Sequence, residues 1–148
     1  MILEAETWVD ASADEVYAFF EDVEDWYLEW HPDHITFRWV AGDGLAEGNE
    51  AYFEEEIGGE VKKQTIRYTT IEPPYIIVFH PTSRLIRFFL PQIKFTIEPE
   101  NGGCRVTQRV QVRTGPIGRR LNKAEFDAVR EHMQEEAENL KRIVEAEM

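Results

Sequence analysis

Cysteine is almost absent from this 148-residue chain: Cys104 stands alone. A single cysteine excludes an intramolecular disulfide and a cysteine-built zinc cluster, so any metal would have to be held by histidine and carboxylate. Long apolar runs are missing too. No stretch approaches the roughly eighteen apolar residues of a membrane span, and Met1 to Asp10 lacks a basic start followed by an apolar segment. Neither a membrane span nor a secretory leader is expected, and a cytoplasmic location follows by default. Positive charge is scarce, with sixteen Lys and Arg against twenty-nine Asp and Glu and a net charge of −13. That balance argues against nucleic acid, whose phosphates need a basic face, and disfavours anionic membrane surfaces. The glycines between Gly42 and Gly48 lack phosphate-loop spacing, and no Ser-His-Asp or Cys-His arrangement can be argued.

What the chain does contain is apolar and aromatic. Hydrophobic residues make up 43% and aromatics 12%, including four Trp and nine Phe, the composition of a packed protein. One domain covering 1–148 is expected. Ile2 to Val9 alternates as a strand, and Ser12-Ala-Asp-Glu15 has the form of a capping box that starts a helix carrying Val16, Phe19, Phe20 and Val23. A second short helical piece, Trp26 to Trp30, ends before His31-Pro32. Strand-like runs follow at Ile35 to Val40, Glu50 to Ile57, Lys62 to Ile71, Tyr75 to His80, Leu85 to Leu90, Gln92 to Glu98 and Cys104 to Arg113, separated by Gly, Pro and Asn. Consecutive strands with short turns predict an antiparallel meander, and from Pro116 one long helix is expected to about Glu147.

At about 100° per residue, Val129, His132, Met133, Glu136, Leu140, Ile143 and Val144 share one side of that helix. The stripe is apolar except at His132 and Glu136, four residues apart and therefore side by side. Taken alone, the two read as a surface pair. A second polar intruder sits on the strand Glu50 to Ile57, where Ala51, Phe53, Glu55 and Ile57 share a face by the period of two. His31 and His34 form a third feature, bracketed by Trp26, Tyr27, Trp30 and Trp39. Polar groups on buried faces are costly unless paired or coordinated. Together, one or both of these histidines with Glu55, His132 and Glu136 supply the ligand types that zinc or a comparable divalent ion prefers.

The element order, with Val9-Asp-Ala-Ser-Ala-Asp-Glu-Val16 at the first junction, resembles the helix-grip superfamily (START/Bet v 1-like, SRPBCC), which includes polyketide cyclase/dehydrase-like proteins. The resemblance spans nearly the whole chain. It implies an α+β fold in which a curved antiparallel sheet of about six or seven strands wraps the long C-terminal helix, with two short helices after the first strand. It also implies an internal cavity for an apolar or aromatic small molecule. The metal-type residues resemble those of the diacetylphloroglucinol and phloretin hydrolase branch, whose zinc serves cleavage of a carbon–carbon bond between an acyl group and a phenolic ring. His132-Met-Gln-Glu-Glu136 is similar to that branch's helical pair and Glu55 to its strand carboxylate. His34, which abuts the strand, is preferred over His31 as the remaining imidazole. The chain is shorter than those hydrolases, so their reaction does not carry across directly.

Two functions are therefore expected to compete. One is a metal-dependent hydrolase or lyase of a small aromatic or polyketide-like compound, with His34 or His31, Glu55, His132 and Glu136 as ligands and Glu55 or Glu136 doubling as proton carrier. The other is a non-catalytic carrier or sensor of a hydrophobic molecule. Tyr27, Tyr52 and Tyr68 are candidate hydrogen-bond donors or cavity wall. His80 reads as a strand-end residue, and the oligomeric state stays open, with a dimer among the options.

Overall fold

The computed structural model describes residues 1–147. Its opening elements follow local chemistry closely. Strand β1 spans Ile2–Val9 and is followed by helices α1, Ala13–Glu21, and α2, Val23–Trp30. The Ser12 hydroxyl accepts the Glu15 backbone N–H, and the Glu15 carboxylate accepts that of Ser12, so the capping box is complete. Strands β2 (His34–Ala41), β3 (Glu50–Ile57), β4 (Glu60–Glu72) and β5 (Ile76–Pro81) come next. Then follow the short helix α3 (Arg84–Phe89), strands β6 (Gln92–Glu100) and β7 (Gly103–Gln111), and helices α4 (Pro116–Leu121) and α5 (Lys123–Glu147).

All seven strands join one antiparallel sheet in the order β1-β7-β6-β5-β4-β3-β2. The strands β2 to β7 form the expected meander, and β1 closes onto β7. Gly58 and Gly59 both adopt positive φ, 62° and 82°, which the tight β3–β4 turn requires and side chains resist. The helix α5 lays Met133, Leu140, Ile143 and Val144 against the inner face of the sheet. There Leu140, 1% exposed, meets a core that includes Val9, Val16, Phe20, Ile77 and Phe95.

Two segments depart from expectation. Leu85 to Leu90 is helical, not a strand: the Ser83 hydroxyl accepts the Ile86 N–H and opens α3, and no strand of the sheet pairs with it. A six-residue run with five apolar residues around Arg87 satisfies either period, so local pattern could not decide. The last helix is interrupted at Asn122, whose φ of −106° and ψ of 20° leave the helical region while its backbone N–H and side-chain amide both donate to the Gly118 carbonyl, at 3.0 and 2.9 Å. Residues Pro116–Leu121 thereby become a separate turn of helix, and α5 starts afresh at Lys123. Minor shifts of boundary occur elsewhere, as at α2, which begins at Val23.

Leu140→Ala should lower the free energy of unfolding by about 2–5 kcal/mol through lost burial and the cavity left behind. Leu121→Ala, at a side chain 78% exposed, should change it by no more than about 0.5 kcal/mol. Urea denaturation of both variants checks the assignment, and equal losses would contradict it.

Candidate metal centre

The β2–β3 register sets the site. His34 pairs directly with Glu55 across the two strands, and an irregularity between His34 and Thr36 lets the Asp33 carbonyl accept the Glu56 N–H at 2.9 Å. From the other side, α5 is docked onto the end of α2 by two long-range bonds. The Trp30 indole N–H donates to the Glu136 carbonyl at 2.9 Å, and the Asn139 amide donates to the Trp30 carbonyl at 3.0 Å. These contacts hold the His132–Glu136 turn opposite the His34–Glu55 pair.

Four side chains then converge. The His34 Nε2 lies 3.0 Å from Glu136 Oε2 and 3.3 Å from Glu55 Oε2. The His132 Nε2 lies 3.1 Å from Glu55 Oε2 and 3.5 Å from Glu136 Oε1. Each of the four offers one ligand atom, all within 4.8 Å of one another. The histidine side chains are almost fully buried, Glu136 is 9% exposed and Glu55 17%. The other nitrogen of His34, Nδ1, donates to the Tyr27 carbonyl at 2.7 Å, and the Tyr27 ring stacks on the imidazole at 3.9 Å. That backbone bond fixes the ring with Nε2 turned into the cluster, the arrangement in which metal-ligating imidazoles are held.

The donor set fits a zinc-type ion. Four ligands at bonds of about 2.0–2.2 Å around a tetrahedral centre stand roughly 3.3–3.6 Å apart, close to the separations of 3.0 to 3.5 Å between these imidazoles and carboxylates. His31 is arranged differently. Its Nδ1 accepts the Asp33 N–H at 2.9 Å, which leaves the proton on Nε2, buried without a hydrogen-bond partner and 3.4 Å from Glu135 Oε1. Its ring packs on that of His132 at 4.1 Å, and with Asp33 and His132 it forms a second, smaller group of ligand atoms. Thus His34, not His31, joins the other three.

Without an ion the cluster holds protons. Burial lowers the His34 pKa, but hydrogen bonds to Glu136 and Glu55, then their charge, outweigh it and carry it to about 9. Burial raises the Glu55 carboxyl, yet hydrogen bonds from His132 and His34 hold it near its ionised form, at about 2. His132 is raised as well, against burial, by its Glu55 bond and by the charges of Glu136 and Glu55. Burial and the same two carboxylates push the Tyr27 phenol upward, so it stays protonated. A protonated His34 explains how one ring can serve the Tyr27 carbonyl on one side and two carboxylates on the other.

Three of the four, Glu55, His132 and Glu136, line a cavity of about 840 Å³, and His34 does not. Its remaining wall is largely apolar, with Phe20, Trp30, Phe53, Phe79 and Phe95 among its rings. The volume lies in the range of roughly 300–1,000 Å³ typical of small-molecule sites. Tyr27 and Tyr68 belong to this wall, whereas Tyr52 lies outside it beneath the Arg38 guanidinium. His80 is a strand-end residue, its Nδ1 donating to the Pro81 carbonyl at 2.8 Å. The Tyr27 carbonyl and the Trp30 indole are the supporting groups that sequence reasoning missed; nothing in spacing announces a backbone acceptor or a long-range tryptophan bond.

In the presence of a chelator, the stability that His34 contributes is complete below its ordinary pKa of 6.5 and is lost as pH rises through about 9. The Glu55 contribution is complete above 4.5 and is lost as pH falls through about 2. Thermal melts of the chelated protein and of His34→Gln should therefore differ most between about pH 4.5 and 6.5 and converge toward pH 9. A gap that stays constant to pH 9 would remove His34 as the group responsible.

Residues 2–145 match the family described as polyketide cyclase/dehydrase and lipid transport. Among curated proteins no sequence matches. Solved structures share the fold. Protein TTHA0849 of Thermus thermophilus is 16% identical with a TM-score of 0.78, over 99% of this chain and 98% of that one. The ZhuI aromatase/cyclase of a Streptomyces species is 13% identical with a TM-score of 0.73, over 98% and 93%. A norcoclaurine synthase of Thalictrum flavum is 11% identical with a TM-score of 0.75, over 97% and 93%. At such identities the likeness is one of fold, the helix-grip arrangement of a seven-stranded sheet around α5. The family match, by contrast, covers nearly every residue: the chain belongs to the polyketide cyclase/dehydrase and lipid transport family.

Proposed function

We propose that His34, Glu55, His132 and Glu136 hold one divalent ion, zinc by the character of the donors, and that the protein is a metal-dependent hydrolase or lyase of a small aromatic or polyketide-like molecule. The observation that carries this reading is the convergence of two imidazoles and two carboxylates, at ligand spacing, beside an apolar cavity that Glu55, His132 and Glu136 line. Ionised groups buried on such a wall carry a desolvation cost that pairing or coordination has to offset. When bound, the ion would polarise a carbonyl oxygen and lower the pKa of water at the site.

The chain's own residues supply the rest. The aromatic wall stacks a ring and excludes bulk water, orienting an acyl substituent toward the polar end. Glu55, the more exposed of the two carboxylates and held ionised, is placed to take a proton from water. Returned to the ring carbon as the carbon–carbon bond breaks, that proton balances the hydroxyl gained by the acyl group. Tyr27, kept protonated beside Glu55, offers a donor whose hydroxyl now lies 3.4 Å from the Glu54 carbonyl. His34 is an anchor and does not face the cavity.

A non-catalytic carrier is the second reading, favoured by one feature: the imidazoles and carboxylates can satisfy one another by hydrogen bonding, His34 with Glu136 and His132 with Glu55. Metal content separates the two. Elemental analysis of the untagged protein should find near one equivalent of zinc or another divalent ion, and a His132→Ala/Glu136→Ala variant should hold little. In the metal-loaded protein, Glu55→Gln should lower kcat on an acyl-phenol by about 10²–10⁴-fold. Absence of metal from the parent even after reconstitution would leave the carrier reading and make His132 and Glu136 a structural pair.

A further inference from the structure

The net charge of −13 averages over an uneven surface. The cavity opens where its lining residues are themselves exposed: Phe88 and Phe89 on α3, Arg113, Gly115 and Asn122 around α4, and Glu125 on the first turn of α5, whose carboxylate is paired with Lys62 at 2.9 Å. Two segments frame this mouth, 83–91 and 112–124. They hold Arg84, Arg87, Arg113, Arg119, Arg120 and Lys123, six of the sixteen basic residues, and none of the twenty-nine acids. The ten remaining basic residues face all twenty-nine carboxylates elsewhere. Among the described residues the five mouth arginines have no carboxylate within ion-pair distance, while Arg67, Arg105 and Arg109 are paired with Glu50, with Glu6 and Glu100, and with Glu4.

The same two segments expose large apolar side chains. Leu85, Phe88, Phe89, Ile117 and Leu121 are 50–78% exposed. Scattered single exposures are ordinary, but five on two short helices flanking one opening are not. The helices are tied together, since the Arg113 N–H donates to the Phe89 carbonyl at 2.8 Å and its guanidinium lies 4.6 Å above the Phe88 ring. Protruding apolar side chains ringed by unpaired arginines match the apolar boundary and anionic headgroups of a phospholipid surface. A lipid interface accepts such side chains without a matched pocket for each. The acidic remainder of the molecule is repelled by the same surface, so the field turns the mouth toward it within a Debye length of about 8 Å.

We propose that the rim formed by α3, α4 and Arg113 docks the mouth of the cavity onto an anionic phospholipid surface, so that an apolar ligand passes between bilayer and cavity without crossing water. This surface is independent of the metal reading. The test is sedimentation of the full chain with vesicles of phosphatidylcholine alone or with about 30 mol% phosphatidylglycerol. Two variants avoid every cavity-lining residue: Arg119→Glu/Arg120→Glu and Ile117→Ser/Leu121→Ser. Binding to the anionic vesicles should exceed that to neutral ones at least tenfold and weaken with salt. Charge reversal should abolish the excess, and the serine pair should lower binding several-fold. Uptake of a fluorescent naphthalene probe into the cavity should be unchanged in both, which shows that they fold. Equal binding to both vesicle types, no binding to either, or full binding by the charge-reversed variant would overturn the proposal; the second outcome would turn attention to an acidic protein partner.

Discussion

Two carboxylates on the inner wall of an apolar cavity cannot stand alone. Each would bear a large desolvation penalty, and at this separation they repel one another. In this chain Glu55 and Glu136 are compensated by two imidazoles, His34 and His132, that reach them from opposite sides. Whatever occupies the site, proton or cation, must satisfy that balance of charge. Much of the surrounding architecture follows from it: the β2–β3 register that pairs His34 with Glu55, the Tyr27 carbonyl that fixes one ring, and the Trp30 bond that anchors the turn carrying Glu136.

The polar cluster and the apolar cavity are two halves of one device. The helix-grip fold makes the cavity because a curved sheet and a single helix leave a space that their side chains fill incompletely. Family membership accounts for that space and for a hydrophobic occupant, but chains of one fold differ in chemistry by what lines it. In this protein the distinguishing lining is the four-residue cluster, which is why the proposed activity rests there and not on the fold. The mouth shows the same division of labour at the surface, with positive charge and exposed apolar groups gathered beside an otherwise acidic exterior.

Legibility in the sequence varies with the range of the interaction concerned. The inward stripe of α5 and the inward face of β3 are readable because helical and strand periods are local, and His132, Glu136 and Glu55 stand out as polar residues on apolar faces. Leu85 to Leu90 reads wrongly as a strand because so short a run, five apolar residues and Arg87, fits both periods, and only the sheet's refusal to pair with it decides. The break at Asn122 is one residue leaving helical φ and ψ, which the surrounding helix-forming residues conceal. Between His31 and His34, the pattern offers only that His34 abuts the strand; the structural reason is that His31 is occupied by the Asp33 N–H while His34 is clamped by Tyr27.

The sequence by itself determined the element types over most of the chain, the capping of α1, the antiparallel meander and the identities of the residues able to bind an ion. These depend on periodicity, turn chemistry and donor type, all carried by neighbours in the chain. Only the tertiary structure decided that the four donors meet within 4.8 Å, that Tyr27 and Trp30 hold them there, and that Arg84, Arg87, Arg113, Arg119 and Arg120 gather at one mouth. Those facts depend on where β2, β3, α2, α3, α4 and α5 come to rest against one another, in a hydrogen-bond network whose partners lie up to 135 residues apart. No local pattern encodes such distances; packing does.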